Sequence, residues 1–219
     1  MIQLNQIQLQ GVIGKAEPFT VNDVKAVRLN IAVDRSYKAK DGSKVKETVW
    51  FPTTVFSRKG FPAVEDLTVG KVVNVTGRLR NRRFARPDGS EGSAWDIVPA
   101  KVTFDIPEDK KNVQYGIVHL RGRIGNVRLT QVGDKKQATF SVATDYVSKD
   151  AGNNISIETT WHQVVIWENK GVKDLSLLAK GMAVEVDGRV RDYKYTGTDG
   201  NDHYVHEILA INWNEVEAA

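Results

Sequence analysis

Apolar and polar residues alternate in short runs along both halves of this chain. Val27, Leu29, Ile31 and Val33 fall on one side of an extended segment, as do Val73, Val75, Gly77 and Leu79. Val184, Val186, Gly188 and Val190 repeat the second pattern. Period two marks a strand with one buried face. Each half reads as five strands and one short helix. The first strand lies near 7–14 and 118–125, the second near 27–34 and 138–145, and the third over 47–56 and 158–167. The fourth runs from Val73 to Phe84 and from Val184 to Tyr195, and the fifth near 93–98 and 204–210. Asp41-Gly42 and Gly152-Asn153-Asn154 signal hairpins between strands two and three. Pro87-Asp88-Gly89 and Thr198-Asp199-Gly200 signal hairpins between strands four and five. Val172, Leu175 and Leu178 predict a helix that Gly181 can end; Phe61-Pro62 opens a shorter version, with Val64 and Leu67 in matching places.

The halves repeat at a constant offset of 111 residues. Gly11, Ile13 and Gly14 match Gly122, Ile124 and Gly125; Glu47-Thr48-Val49-Trp50 matches Glu158-Thr159-Thr160-Trp161. Gly77, Arg78 and Arg80 match Gly188, Arg189 and Arg191. An unchanged offset across separate segments means two copies of one domain. The period is too long for a solenoid unit, and each copy can hold its own core. The order β-β-β-α-β-β is that of an OB-fold. The expectation is an all-β chain of two OB-folds, each a five-stranded Greek-key barrel with a short helix between strands three and four. The domains expected are 1–106 and 113–219, joined by a polar linker at 107–112.

The strand faces opposite the core carry the candidate chemistry. Arg78, Arg80, Arg82 and Phe84 share one such face, and Arg189, Arg191, Tyr193 and Tyr195 share its copy. On the third strand of copy two, Trp161, Gln163, Val165 and Trp167 oppose His162, Val164 and Ile166. A barrel buries only one of these faces, so two tryptophans on the other have a different use. Cations interleaved with rings suit a single-stranded polynucleotide, whose phosphates meet arginines and whose bases stack on aromatics. Charge sharpens this picture slightly. Net charge is +5 over residues 1–110 and −1 over 111–219. The hairpin from Lys38 to Lys46, with Lys40 and Lys44, is basic enough to close over a bound strand. With no cysteine there is no thiol catalysis, disulfide or thiolate metal site. No apolar run approaches a membrane span and the N-terminus lacks a signal-like segment, so a cytoplasmic, nucleoid-associated protein is expected.

Three segments together carry a resemblance. Trp161-His162-Gln163-Val164-Val165, then Lys180-Gly181, then Val184-Glu185-Val186-Asp187-Gly188-Arg189, resemble the bacterial single-stranded DNA-binding proteins. The resemblance covers nearly all of 113–213, and copy one follows the same plan over about 4–104. It implies base-stacking roles for Trp50 and Trp161, for Phe56 and Trp167, for Phe84 and Tyr195, and for Tyr37 on the hairpin. Copy two has Ser148 where copy one has Tyr37, with Tyr146 close by. It also implies four OB-folds per assembly, hence a homodimer of this tandem chain. Phe51-Pro52 departs from the pattern at His162-Gln163. Proline cannot donate to a ladder, so the third strand of copy one is expected to be irregular or at an edge there. The family's long acidic tail has no counterpart after the last strand, so tail-mediated protein partners are not expected; a phage- or plasmid-encoded origin is left open.

The remaining candidates are weaker. His203 and His206 point to opposite faces of a strand, so no metal site is expected. No phosphate-binding glycine loop is present, and no enzyme activity or cofactor is expected. Asp34 and Asp145 recur without a nucleophile, which suits fixing a hairpin or balancing an arginine. The reading is sequence-independent binding and protection of single-stranded DNA in replication, recombination or repair. A protein-interaction scaffold and an RNA-binding OB-fold protein are the alternatives.

Overall fold

The computed structural model describes residues 3–217 other than 40, 86–88, 90, 151, 197–199 and 201; the side chains at 82–84, 91–93, 193–196 and 202–204 also lie outside the description. The first copy supplies β1 (Leu4–Val21), β2 (Val24–Lys38), β3 (Lys44–Phe56), β4 (Val72–Ala85) and β5 (Glu91–Thr103). The second supplies β6 (Tyr115–Val132), β7 (Lys135–Lys149), β8 (Ile155–Trp167), β9 (Ala183–Thr196) and β10 (Asp202–Glu215).

Each copy closes as the OB arrangement requires. β1 pairs antiparallel with both β2 and β4, and β3 meets β5 in parallel at Thr53 and Ile97. The second copy repeats this, with β6 paired to β7 and β9 and β8 parallel to β10. Inward-facing Ile7, Leu9, Ile31, Val75 and Ile97 fill the first barrel; Leu120, Phe140, Val164, Val186 and Ile208 fill the second. Strands bend where the barrels close. A Cβ on Gly77 would lie 2.4 Å from the Val98 carbonyl oxygen, and one on Gly188 would lie 2.7 Å from that of Leu209. Only glycine fits at either crossing.

The strands outrun their expected bounds. β1 and β2 form a long hairpin whose two-residue turn, Asn22-Asp23, has φ of 46° and 62°. Positive φ at both positions matches the twist of a tight hairpin. The expected helices shrink to single 3₁₀ turns, Val64–Asp66 and Leu175–Leu177. Val172 stands ahead of its turn, which opens only where the Asp174 carboxylate accepts the Ser176 N–H at 3.0 Å. Spacing of three suits a 3₁₀ turn, whose side chains repeat every three residues, and the segment is too short to nucleate an α-helix. Leu175 and Leu178 are buried, while Leu177 is exposed. The irregularity expected at Pro52 is absent, since Asn30 and Pro52 sit within an unbroken β2–β3 register. On its other side β3 registers with β5 at Thr53 alone, so little ladder there depends on a donor.

The chain divides into two compact units, one of residues 6–116 and the other of 117–219 with 1–5. One contact recurs in both. In the first unit the Gln114 side-chain oxygen accepts the Asp34 N–H at 2.7 Å. In the second, Gln3 accepts the Asp145 N–H at 2.5 Å and donates to the Asp145 carboxylate at 2.8 Å. The same carboxylates accept from Thr48 at 2.7 Å and from Thr159 at 2.6 Å. Asp34 and Asp145 thus tie β2 to β3 and β7 to β8. Among the described residues no helix is long and apolar enough to cross a membrane, and no cluster of His, Asp and Glu could hold a metal.

Candidate nucleic-acid interface

Parity on β3 separates the two faces cleanly. Val49, Phe51, Thr53 and Val55 are buried, whereas Trp50 and Phe56 are exposed at 46% and 45%. On β8, His162, Val164 and Ile166 are buried, Trp161 is exposed at 51%, and Trp167 is half-buried. Each exposed indole reaches across the intervening second strand to the backbone of a glycine on the first strand of its copy. A Cβ on Gly14 would come within 2.5 Å of the Trp50 ring, and one on Gly125 within 2.4 Å of the Trp161 ring. Glycine therefore forms a flat seat under each indole. Such a seat limits ring motion before any ligand arrives, which lowers the entropy lost on stacking.

The arginine ladders keep the expected parity. Arg78 and Arg80 alternate with buried Val75, Gly77 and Leu79, and Arg189 and Arg191 with buried Val186, Gly188 and Val190. Two of them are held by acids that sequence reasoning did not connect to them. Arg80 binds the Asp96 carboxylate in two parallel hydrogen bonds, 3.0 Å from Nε and 2.7 Å from Nη2. Arg191 donates to Glu207 in the corresponding place. Asp96 and Glu207 are both buried. A closed pair presents little net charge to a phosphate, so Arg80 and Arg191 brace β4 against β5 and β9 against β10. The expected result is that Arg80→Ala destabilises the protein by about 2 kcal/mol, because the buried carboxylate loses two hydrogen bonds. Arg80→Ala with Asp96→Ala should recover most of that in thermal unfolding. The double variant should also keep the parent's salt dependence of oligo-dT binding. A shallower dependence would mean that Arg80 leaves Asp96 for a phosphate.

Not every expected residue joins these faces. Tyr37 shares the parity of buried Val33 and sits on the β2–β3 arm beyond the core, with the Arg35 guanidinium 5.3 Å from its ring centre. It is therefore on the face of the hairpin opposite Trp50. Lys38, Lys44 and Lys46 are exposed on that arm; Lys40 lies outside the described residues. Arg82 and Phe84 fall within β4, and Tyr193 and Tyr195 within β9, with side chains outside the description. The same holds for His203, while His206 bonds Asp192 at 2.7 Å.

The arms also differ in a way the sequence reading missed. In copy two, Val147, Ile155 and Ile157 are exposed at 58%, 63% and 64%, on the parity of Trp161. Ser36, Lys44 and Lys46 hold the corresponding places in copy one. The signal was present in the Ile155-Ser156-Ile157 alternation, which continues the outward face of Trp161. A groove of about 570 Å³ lies elsewhere, between the β1–β2 hairpin and the first 3₁₀ turn. Its cation, Lys25, is paired with Glu65, so it offers little to a phosphate.

Residues 4–105 and 117–216 each match the Single-strand binding protein family. The chain belongs to that family. A single-stranded DNA-binding protein of Xylella fastidiosa is 38% identical over 96 residues, covering 42% of this chain and 58% of its own length. One of Neisseria meningitidis is 26% identical over 99 residues, covering 44% of this chain and 57% of its own. The chain thus spans well under two thirds of these curated relatives. The wild-type single-stranded DNA binding protein of Thermus aquaticus superposes with a TM-score of 0.71 at 17% identity, over 99% of this chain and 95% of that one. That likeness shows the fold, including its tandem duplication. Within the family frame, Trp50, Phe56, Trp161 and Trp167 are the described rings on the outward faces of the third strands.

Proposed function

We propose that this chain binds single-stranded DNA without reading its sequence, and shields it during replication, recombination or repair. The observation that carries the proposal is the pair of indoles, Trp50 and Trp161, each seated on glycine and half exposed on an outward strand face. Stacking is sequence-tolerant because every base has a flat face. Arg78 on β4, Arg189 on β9 and the lysines of the first-copy arm add the ionic component. Titration with oligo-dT, oligo-rU and duplex DNA, followed by tryptophan fluorescence, tests this. Quenching by oligo-dT with little response to duplex supports it. Quenching by none of the three would make the ring-bearing faces a protein-docking surface, and quenching by oligo-rU alone would make the ligand RNA.

The working assembly in this proposal is a homodimer that presents four OB-folds, in the cytoplasm beside the nucleoid. Light scattering at micromolar concentration should give twice the 24.4 kDa chain mass. A monomer would refute the dimer and leave binding by each chain intact.

A further inference from the structure

Copy one carries an aromatic and cationic cluster that copy two lacks. Phe19, Ala26 and Phe56 stand in one row across β1, β2 and β3. Ala26 is small, so the two rings meet edge to face above it, with centroids 6.2 Å apart and planes at 72°. The guanidinium of Arg28 lies over Phe19, 4.3 Å from its ring centre. Beyond Phe56, Arg58 lies over Phe61 at 3.8 Å. Arg58 Nη2 donates to the carbonyls of Pro99 and Ala100, at 2.9 and 3.1 Å.

Phe56 is the wall between two clefts. The larger, about 470 Å³, is bounded by Phe19, Arg28, Asn30 and Phe56. The smaller, about 130 Å³, is bounded by Phe56, Arg58, Phe61 and Pro99. In copy two the matching row is Thr130, Gln137 and Trp167. Thr139, Asn169 and Val172 stand where copy one has Arg28, Arg58 and Phe61. Neither stacked arginine has a counterpart.

The chemistry of the cluster selects its occupant. A guanidinium placed over a ring face still has N–H groups to offer a phosphate. Carbonyls, not an acid, anchor Arg58, and among the described residues no carboxylate pairs with it, so its charge is uncompensated. Glu17, across the ladder from Arg28, is taken by Lys15 at 2.7 Å. Phe56 remains 45% exposed even with Phe19 against it, which leaves ring surface for a base. Aromatic walls, a nucleotide-sized groove and two cations outside any hydrogen-bonded ion pair match one base with its flanking phosphates.

We propose that these clefts extend the stacking position at Phe56 into a nucleotide subsite found only in copy one, in which the phosphates flanking the stacked base meet Arg28 and Arg58. The subsite rests on the single-stranded DNA reading above. It makes the two OB-folds unequal binders, with the first holding a longer stretch of strand than its outward tryptophan face alone.

The test compares oligo-dT binding by the full-length chain and by Arg28→Gln with Arg58→Gln, across a salt series. Both side chains are on the surface, and Gln retains much of their bulk. The expected result is about tenfold weaker binding at low salt and a salt dependence shallower by roughly 1.4, about 0.7 for each lost phosphate contact. Phe19→Ala should weaken binding at every salt concentration. Thr139→Gln with Asn169→Gln, at the matching places in copy two, should bind as the parent does. If the Arg28/Arg58 variant melts with the parent and binds with the parent's affinity and salt dependence, the subsite is refuted while the function stands. If the parent itself fails to bind oligo-dT, the functional reading fails first.

Discussion

Replacing Trp50 and Trp161 together with alanine should reduce affinity for oligo-dT by at least about thirtyfold, and the loss should persist at high salt. Each stacked base is worth about 1–3 kcal/mol, so two lost platforms remove roughly 2–6 kcal/mol. Ion release is the component that salt suppresses, and stacking is not. Both indoles are about half exposed, and their seats, Gly14 and Gly125, are backbone. Removing the rings therefore opens no core cavity, and thermal stability should change little. A companion experiment separates the ring from its placement. Gly14→Ala with Gly125→Ala keeps both indoles but drives a methyl within 2.5 Å of where each now lies. The rings must swing off their seats, so affinity should fall by an intermediate factor while the tryptophan emission of the free protein shifts. If the alanine-for-tryptophan variant binds as the parent does at high salt, the outward faces of β3 and β8 are not the stacking surface.

The second large effect is a sensitivity to acid confined to one unit. His162 is buried, and its desolvation pushes the imidazole pKa down from 6.5 to about 4. Its ring Nε2 is hydrogen-bonded to the Thr144 hydroxyl at 2.9 Å, and Thr144 is buried too. In the unfolded chain the same histidine takes up a proton near pH 6.5. Between about pH 6.5 and 4 the unfolded state therefore binds more protons than the folded one, and stability falls as pH falls. Above pH 6.5 this contribution is complete, and below about 4 it is gone. A shift of that size is worth about 3 kcal/mol at most. The first copy holds Phe51 and Val33 in the matching places and is free of this liability. Thr144→Val with His162→Phe grafts that solution onto the second copy. Thermal unfolding at pH 7 and pH 4.5 should show a smaller drop in the variant than in the parent. Equal drops would place the acid sensitivity in the carboxylates instead.

How much of this was legible beforehand depends on the range of the interaction. The 111-residue offset and the alternation around Trp161 are local in sequence, so the barrels and the exposed indoles followed directly. The first hairpin was undervalued because polar Lys15, Glu17 and Thr20 interrupt the apolar alternation, though Asn22-Asp23 carried the turn. The short helix after the third strand was legible but its type was not, because a spacing of three fits both an α-helical and a 3₁₀ pattern. The acid that holds Arg80 was not legible, because Asp96 lies 16 residues on and meets it only through the β4–β5 register. Phe19 and Arg28 escaped notice for the same reason, since their neighbour Phe56 comes from a third strand. The glycine seats were visible as repeated residues, yet their purpose needs the packing of β1 against the indole.

The paired glutamines bear on how this chain can be dissected. A fragment cut at the apparent linker, 1–106, would leave Asp34 without Gln114, and its complement from 113 would leave Asp145 without Gln3. Each half would also keep a leading strand segment that belongs to the other unit's fold. Single-domain fragments should therefore follow the contacts instead of the repeat, with the first running through Gly116 and the second carrying a grafted copy of residues 1–5 ahead of Ile117. Fragments cut at the repeat boundary would be expected to associate by trading those segments, and a self-association measured on them would report the cut and not the protein.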